Sequence, residues 1–445
     1  MDHPIFSLFS ASAFRLCLEL FAVERPLNPT SNHPPGIRRA IRISGLAAVL
    51  LLPVAAGASP SLLGQWTSII TRHQPEQRVV AVYDRLGRVT REAGGNLLGS
   101  LAFTLRHEND SLTDDQGARS WEGGVDLPLK VFGQRGAFGR LADLYPELRS
   151  RHLRWLKWQS AGIARTLLDE LLERRIRLDH TLDAEAQAHR LHELVALRER
   201  TGDASRLDLL LARRNLSQAR AATVGARADL RKAVEAAALW GIELDEEAVR
   251  RLDPAPPVPP RLEGDPGELL RQHPRYRWIA ARNDLQLGRL DLSLWESRPG
   301  SELFFGARRD RADGVSADTA LILELRVPLG EAPAWRTASA ERDQRRLQLQ
   351  AELSAAEREL RQNLTEARQS VDRAHRLLPV VREQLEAAES ALDLSRQAYR
   401  AGDIGLQELL IAQRQQLEAQ LEYALAEADL ARQIRRLNQA AGILP

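Results

Sequence analysis

Two parts of the chain alternate apolar and polar residues with a period of two, which predicts β-strands with one apolar face. In the first part, LGSLAFTLRH is followed by a polar segment and then by GVDLPLKVF. In the second part, SELFFGARRD is followed by a polar segment and then by ALILELRVPLG. We therefore predict two β-hairpins, over residues 97–132 and 301–329.

Most of the remaining sequence has apolar residues at a spacing of 3.5 to 3.6, which predicts long helices that pack as antiparallel coiled coils. The spacing is clearest in the second half, at Val381, Leu385, Ala388, Leu392, Ser395 and Tyr399. The two longest helices are expected over residues 137–201 and 331–401, and at 1.5 Å per residue each would be roughly 100 Å long.

A comparison of helix lengths predicts how these helices are arranged. The helices expected over residues 206–241 and 266–296 together match the length of the first long helix. Those expected over 404–441 and 62–96 together match the second. We therefore expect each long helix to run beside two shorter helices placed end to end.

The chain also contains an internal two-fold repeat with an offset of about 200 residues. GDASRLDLLLAR at 202–213 corresponds to GDIGLQELLIAQ at 402–413, and Leu-Pro-Leu at 127–129 corresponds to Val-Pro-Leu at 327–329. Shorter matches are RHQP at 72–75 with RQHP at 271–274, and Gly-Ile at 241–242 with Gly-Ile at 442–443. We expect one repeat at 59–250, with its helical turn near 202, a proline-rich connector at 251–265, and a second repeat at 266–445, with its turn near 402.

The repeated Gly-Asp pairs are expected at the turns between helices. Gly202 and Gly402 each follow a long helix, where a glycine in the left-handed conformation commonly ends the helix. Asp203 and Asp403 are then expected to cap the helices that follow.

Residues 1–58 have the features of an N-terminal extension and an export signal. IRRAIR at 37–42 supplies three arginines, and ISGLAAVLLLPVAAGA at 43–58 supplies an apolar run that ends in a small-x-small cleavage pattern. This run is too short for a comfortable membrane span. Cleavage is expected after Ala58, and because no cysteine follows, a lipoprotein anchor is excluded.

Composition narrows the possible functions. Aromatic residues make up only 5% and charged residues 27% of the chain, which favours elongated helical packing over a compact core. Removal of residues 1–58 leaves 57 basic and 57 acidic residues, so a nucleic-acid partner is unsupported. The single cysteine, Cys17, excludes a disulfide framework and a cysteine metal cluster. His189 and His192 share a helix face, but a solvated pair is favoured over a metal site.

Four strands with one apolar face cannot close a barrel alone, and their open edges would favour aggregation. Several copies that pool their hairpins would remove these edges, and alternating strands suit an outer-membrane barrel. The strand-to-helix segments VDLPLKVFGQRGAFGRLA and LRVPLGEAPAWRTASAERD, together with AYRAGDIGLQELLIAQRQQLEAQLEYALAEADL, resemble the TolC-like outer-membrane efflux (outer membrane factor) family. The resemblance covers nearly all of residues 60–445. One departure is GEAPAW, which lacks the basic, glycine-rich form of FGQRG.

The resemblance implies a mainly α fold with a β part. Three copies would form an α-barrel tunnel through the periplasm, and four strands from each would form a twelve-stranded outer-membrane β-barrel. It implies an exit duct of a tripartite efflux or secretion system in a Gram-negative-type cell, with a periplasmic adaptor and an inner-membrane transporter as partners. No catalytic, cofactor or metal residues are implied.

The resemblance also assigns roles to particular residues. It places Gly202, Asp203, Gly402 and Asp403 at the periplasmic tip where the adaptor docks. Asp208 and Glu408 lie just past this tip and are candidates for a ring of carboxylates at a tunnel constriction, with solvated helix positions as an equal alternative. The residues expected to face lipid are Leu127, Leu129, Leu321, Leu323 and Leu325.

Two other functions remain open from the sequence. A periplasmic coiled-coil adaptor or scaffold would also have long helical hairpins, but it predicts no membrane-facing strand pairs. An enzyme on a helical frame is the third class, and no catalytic constellation supports it. The transported substrate is open between metal cations, drugs and a secreted polypeptide.

Overall fold

The computed structural model describes residues 61–95, 100–110, 118–130, 132–252, 257, 259–260, 265–298, 300–312, 314, 316–328 and 333–445. The expected signal segment and most of the connector lie outside these residues. The elements, in chain order, are α1 Leu62–His73, α2 Glu76–Gly95, β1 Ala102–Asn109, β2 Arg119–Leu129, α3 Phe132–Thr201, α4 Arg206–Ala238, α5 Glu246–Arg250, α6 Pro266–Gln272, α7 Pro274–Glu296, β3 Ser301–Arg311, β4 Asp318–Arg326, α8 Pro333–Ala401 and α9 Leu406–Ala440. The predicted mainly α fold with a small β part is confirmed.

The two-fold repeat is visible in the order of elements. Helices α1 and α2, strands β1 and β2, and helices α3 and α4 correspond to α6 and α7, β3 and β4, and α8 and α9. The two longest helices have 70 and 69 residues, so each is roughly 105 Å long at 1.5 Å per residue. Helix α5 lies at the end of the first repeat, just before the connector.

The long helix α3 packs against α2 and α7 along one part of its length and against α4 along another. Helices α1 and α9 also contact it, and α8 packs against α9 and α7. The length comparison correctly paired α3 with α4 and α7. Within one chain, however, α1 and α2 pack on α3 rather than on α8, because they lie beside the helix of their own repeat.

A proline breaks the helix at the same place in each repeat. Gln74 precedes Pro75 with φ −68° and ψ 124°, and His273 precedes Pro274 with φ −60° and ψ 134°. A residue before proline is forced into this extended region, so one helix ends and another begins. The helices on either side of the break can therefore change direction while both remain packed on α3 or α8.

Four clusters of buried residues stabilise the helical part. The largest joins α1, α3, α4 and α5, and includes Trp66, Ile70 and Leu171. The others join α3 with α7, the two helical turns with each other, and α6, α8 and α9. Within the described residues, no helix is both long and apolar enough to cross a lipid bilayer.

Candidate functional site: the sheet faces and the helical turns

The four strands form one antiparallel sheet in the order β1-β2-β3-β4. Directly paired residues point to the same face, so the register defines two faces. One row across all four strands is Phe103, Val125, Phe305 and Leu323. A second row, on the three strands that reach it, is Leu127, Leu303 and Leu325. One face of the sheet is therefore apolar over its whole width.

This apolar face is exposed. Phe103 and Leu323 are each 72% exposed, and Leu105, Phe305, Leu321 and Leu325 are more than half exposed. Among the described residues, the strands pack extensively only against one another. Soluble proteins rarely expose a contiguous apolar surface of this kind, so the face requires a partner or a lipid environment.

The opposite face of the sheet carries charges of both signs. Arg106, Glu122 and Arg308 are neighbours across three strands, and Asp126 and Glu324 lie two rows away on the same face. This combination of a charged face with an exposed apolar face reverses the arrangement in a soluble sheet, whose apolar face is covered.

One aromatic ring lies on the charged face. Phe304 is only 8% exposed, although its strand neighbours on that face are polar. Its ring lies over Gly124 and Gly306, where an added Cβ would come within 2.5 and 2.6 Å of it. This contact was not predictable from the sequence, because a glycine on each of two strands meets the phenylalanine ring only in one strand register.

The leucines expected to face lipid all lie on the apolar face. Leu321, Leu323 and Leu325 are exposed, while Leu127 and Leu129 on the inner strand β2 are partly exposed. Trp121, near the start of β2, stacks on His107 of β1 with ring centroids 4.0 Å apart. Strand alternation in the sequence had predicted the leucines, but not this aromatic pair.

The helical turns have the backbone conformation predicted from the repeat. Gly202 and Gly402 have φ values of 84° and 87°. The amide of Asp203 donates to the carbonyl of Arg198 at 2.8 Å, and the amide of Asp403 donates to that of Ala398 at 2.9 Å. Both glycines therefore end their helices in the left-handed conformation, as expected.

The expectation that Asp203 and Asp403 cap the following helices is wrong. Helix α4 has Ser205 as its N-cap, and α9 has Gly405, so in each turn the N-cap lies two residues beyond the aspartate. The Asp203 carboxylate instead accepts from the Thr201 hydroxyl at 2.9 Å. Asp203 and Asp403 are both exposed at their turns.

The carboxylates of Asp208 and Glu408 perform the capping. Asp208 accepts from the backbone amide and the hydroxyl of Ser205 at 3.1 and 2.7 Å. Glu408 accepts from the amide of Gly405 at 2.7 Å. Each carboxylate reaches back one turn to satisfy an amide at the start of its helix, which is half of a capping box in α9 and a complete one in α4.

The two turns lie side by side. Val195, Leu392, Leu406 and Leu409 form one buried cluster with Ala212. Beside this cluster, the Arg198 guanidinium lies over the Tyr399 ring at 5.1 Å, and the Gln413 amide donates to Gln187 at 3.0 Å. The turns of both repeats therefore form a single tip.

A largely buried ion-pair network joins α3 to α9 between the sheet and the tip. Arg435 is 4% exposed and donates to the Asp169 carboxylate at 2.6 Å, and Arg432 pairs with Glu173 at 3.2 Å. Burial raises the pKa of Asp169, although the positive charge of Arg435 opposes this. Burial also lowers the pKa of the Arg165 guanidinium to about 10, while Arg165 donates to the Ile443 carbonyl at 2.8 Å.

Other candidate ligands remain separate. His189 lies 3.5 Å from Glu193 on the same helix, and this ion pair requires a protonated histidine. Across the described part of the chain, no three histidine, cysteine or acidic side chains are grouped in a way that could hold a metal ion.

Comparison with known proteins gives one family match. Residues 289–443 match the family described as Outer membrane efflux protein. No curated protein sequence matches the chain.

Solved structures share the fold over most of the chain. A membrane protein from Pseudomonas aeruginosa aligns with a TM-score of 0.63 and 17% identity, over 85% of this chain and 93% of that one. The outer membrane protein VceC from Vibrio cholerae aligns with a TM-score of 0.63 and 13% identity, over 85% and 96%. The outer-membrane channel OprN aligns with a TM-score of 0.62 and 20% identity, over 85% and 89%. The resemblance found in the sequence is confirmed by the family match over residues 289–443 and by the shared fold.

Proposed function

We propose that this chain, a TolC-like outer-membrane efflux protein by its family match and its fold, is the exit duct of a tripartite efflux or secretion system. The duct would conduct substrate passively, without catalysis. A periplasmic adaptor and an inner-membrane transporter would deliver the substrate to it. The competing function is that of a periplasmic adaptor or scaffold.

The observation that carries this proposal is the sheet with one exposed apolar face and one charged face. An outer-membrane barrel needs apolar residues toward lipid and tolerates charges toward a water-filled interior. A soluble adaptor would gain nothing from Phe103 and Leu323 in water. Since four strands are too few to close a barrel, we propose a homotrimer with twelve strands.

The two long helices would continue the barrel into the periplasm as a tunnel wall. They begin directly after β2 and just after β4, and each is roughly 105 Å long. The tip formed by the two turns would then lie at the end farthest from the membrane. The adaptor would dock there, on Gly202, Asp203, Gly402 and Asp403.

Transport through lipid vesicles tests the duct. Purified protein reconstituted into liposomes is expected to let small polar solutes pass at a rate that rises with protein content. Leu323→Arg puts a charge on the apolar face and is expected to reduce insertion into the liposomes. Its matched control is Ile322→Arg, which puts the same charge on the other face of the same strand. Intact, folded oligomers that stay in the aqueous phase and give no flux would favour the adaptor or scaffold.

Docking at the tip is tested by crosslinking. A photoreactive probe on Asp403→Cys is expected to label the adaptor, whereas the same probe at the helical position Gly225, partway along α4, is expected not to. Equal labelling from both positions, or none from Asp403 in an export-competent complex, would contradict docking.

We also propose that Asp208 and Glu408 place a ring of negative charge near the tunnel mouth. Each carboxylate accepts hydrogen bonds at its helix N-terminus and stays close to the tip. The double variant Asp208→Asn and Glu408→Gln keeps an acceptor oxygen for the cap. It is expected to lower the preference of the channel for cations in planar bilayers, and unchanged ion selectivity would mean that the carboxylates serve only as caps.

A further inference from the structure

Three arginines lie at one end of the apolar face of the sheet. Arg309 is paired with Trp121, and in the next row of the same face Arg119 is paired with Arg311. All three arginines are exposed. We propose that this group binds a phosphate on the headgroup of a lipid in the outer leaflet of the membrane. The inference rests on the proposed outer-membrane duct and adds a lipid ligand to its barrel.

The strand alternation puts these arginines on the apolar face. Phe305 lies on that face, and residues 307, 309 and 311 of β3 follow it at the period of two that keeps side chains on one face. Arg119 lies on the same face because it is directly paired with Arg311. The apolar face therefore ends in a group of positive charges.

This end of the sheet is the one away from the helices. Helix α3 begins at Phe132, just after β2 ends at Leu129, whereas Arg119 is the first residue of β2. From Trp121 to Leu129 the strand advances by eight residues, which is roughly 27 Å along its axis at about 3.4 Å each. A tilt of about 40° reduces this to roughly 21 Å across the membrane, close to the apolar band of about 25 Å in such barrels. Trp121 would therefore lie at the outer boundary of the apolar band, and Arg119 just beyond it.

The helix end of the apolar face has no such charges among the described residues. The row at that end is Leu129 with Ser301, and the row before it is Leu127, Leu303 and Leu325. Arginines that only extend toward water from a membrane boundary would be expected at both ends of the apolar face. The arginines therefore distinguish one leaflet, the one on the side away from the periplasm.

The arginines of the apolar face also lack the counter-charges that the arginines of the opposite face have. On the opposite face, each strand arginine has a carboxylate oxygen within 3.3 Å, in the pairs Arg106–Glu108, Arg308–Asp310 and Arg326–Glu302. Within the part of the chain that the structure describes, the side chains of the three apolar-face arginines have no ion-pair or hydrogen-bond partner. An external anion is therefore needed to balance their charge.

The strand register indicates where the anion would bind. Arg119 and Arg311 are directly paired, so their Cα atoms are about 4.5 to 5.5 Å apart and their like charges destabilise the strand pair. An anion between the two guanidinium groups would replace this repulsion by attraction. Guanidinium donors match phosphate oxygens in a bidentate geometry. Arg309 lies two residues along β3, roughly 7 Å away, so its side chain can reach the same headgroup.

The distribution of charge favours a lipid over a free phosphate ion. At the same end of the sheet, the opposite face carries Glu108, Asp310 and Asp318 in one row. Positive charge is thus confined to the face proposed for lipid, and negative charge to the face proposed for water. Trp121 is 50% exposed beside the arginines, and tryptophan is favoured at the level of the headgroups.

Lipid binding in detergent tests the site. Native mass spectrometry measures the retention of phosphatidic acid, whose headgroup is a bare phosphate, relative to phosphatidylcholine. On the scale of one arginine near an anionic lipid surface, Arg309→Gln is expected to weaken phosphatidic acid binding roughly fivefold, and Arg119→Gln with Arg311→Gln roughly thirtyfold. The matched control is Arg308→Gln, which removes the adjacent charge on the opposite face and is expected to leave the affinity unchanged.

Two further measurements check folding and the source of the phosphate. Far-UV circular dichroism and oligomer size show whether a variant is folded, and if the double variant is not, Arg309→Gln against Arg308→Gln decides the test. Radiolabelled inorganic phosphate without lipid is expected not to bind. Binding of inorganic phosphate with the affinity of the lipid would overturn the lipid assignment.

The remaining outcomes separate the lipid site from the duct. Equal weakening by Arg308→Gln and Arg309→Gln, or unchanged binding in the folded double variant, would overturn the headgroup site and leave the duct in place if the protein conducts solutes through liposomes. Arginine-dependent lipid binding by protein that gives no flux would overturn the duct and leave the headgroup site.

Discussion

His273 is expected to make the helical part sensitive to acid. It is 1% exposed and forms the break between α6 and α7, where its Nδ1 accepts a hydrogen bond from the Arg275 amide at 3.1 Å. Trp158 packs edge-on against the ring at 4.9 Å between centroids, and the backbone of Gly442 also lies against the ring. Protonation would place a charge in this buried site and would remove the lone pair that accepts from the Arg275 amide.

The structure gives the size and the sign of the effect. Burial lowers the pKa of His273 from 6.5 to about 4, and the charge of Arg275 adds to this, while the backbone of Gln439 opposes it. Since the pKa is lower in the folded state, the folded form is favoured fully above pH 6.5. This stabilisation is lost as the pH falls from 6.5 toward 4. Linkage between these two values gives a loss of about 2 kcal/mol per chain at pH 5 relative to pH 7.5.

His273→Gln isolates this contribution, because glutamine is the residue at the equivalent break, Gln74. The assay is the free energy of unfolding by urea, followed by far-UV circular dichroism in detergent at pH 7.5 and 5.0 and at fixed protein concentration. The wild type is expected to lose about 2 kcal/mol more than the variant on acidification. The matched control is His73→Gln, at an exposed histidine. Equal pH dependence in the wild type and His273→Gln would refute the reasoning.

Three further perturbations test other parts of the structure. Leu323→Arg is expected to cost about 2 to 4 kcal/mol more in membrane stability than Ile322→Arg on the charged face, measured by refolding into lipid vesicles. Asp169→Asn leaves the Arg435 charge buried without a charged partner, so it is expected to lower the free energy of unfolding by about 3 to 5 kcal/mol. A loss below about 1 kcal/mol would show that water enters the site. Gly402→Ala is expected to lower the free energy of unfolding by about 1 kcal/mol because φ is positive, whereas Gly225→Ala in a helix should raise it by about 0.5 to 1 kcal/mol. Both positions have open space for a Cβ, so changes of the same sign would count against the conformational explanation.

The elements were predictable from the sequence because their signals are local. The period-two alternation located both hairpins, and the heptad spacing located α8 to within a few residues of Pro333–Ala401. The glycine of each turn was identifiable because only a residue without Cβ adopts positive φ at low cost. Such features depend on a few neighbouring residues and need no knowledge of the partner helix.

The contacts within these elements were not predictable in the same way. The N-cap of α4 was assigned to Asp203 instead of Ser205, because both residue types cap helices well and the choice depends on turn length. The pairing of Asp169 with Arg435 joins residues that are 266 positions apart. In a sequence with 62 basic and 60 acidic residues, no local signal selects that pair.

The repeat separates the requirements of the backbone from those of particular side chains. Gly202 and Gly402 share a positive φ, as do Gly241 and Gly442, so both copies kept the residue that the chain path requires. The charged residues diverged: Asp169, the partner of the buried Arg435, has Gln369 at the equivalent position. A buried charge is stable only opposite its own partner, so it holds one helix pair together in one register. The two halves therefore share the course of their backbone but not their side-chain contacts. The α3–α9 junction inside one chain would then differ chemically from the corresponding junction between copies. A ring assembled from such chains would consequently alternate two kinds of junction rather than repeat a single one.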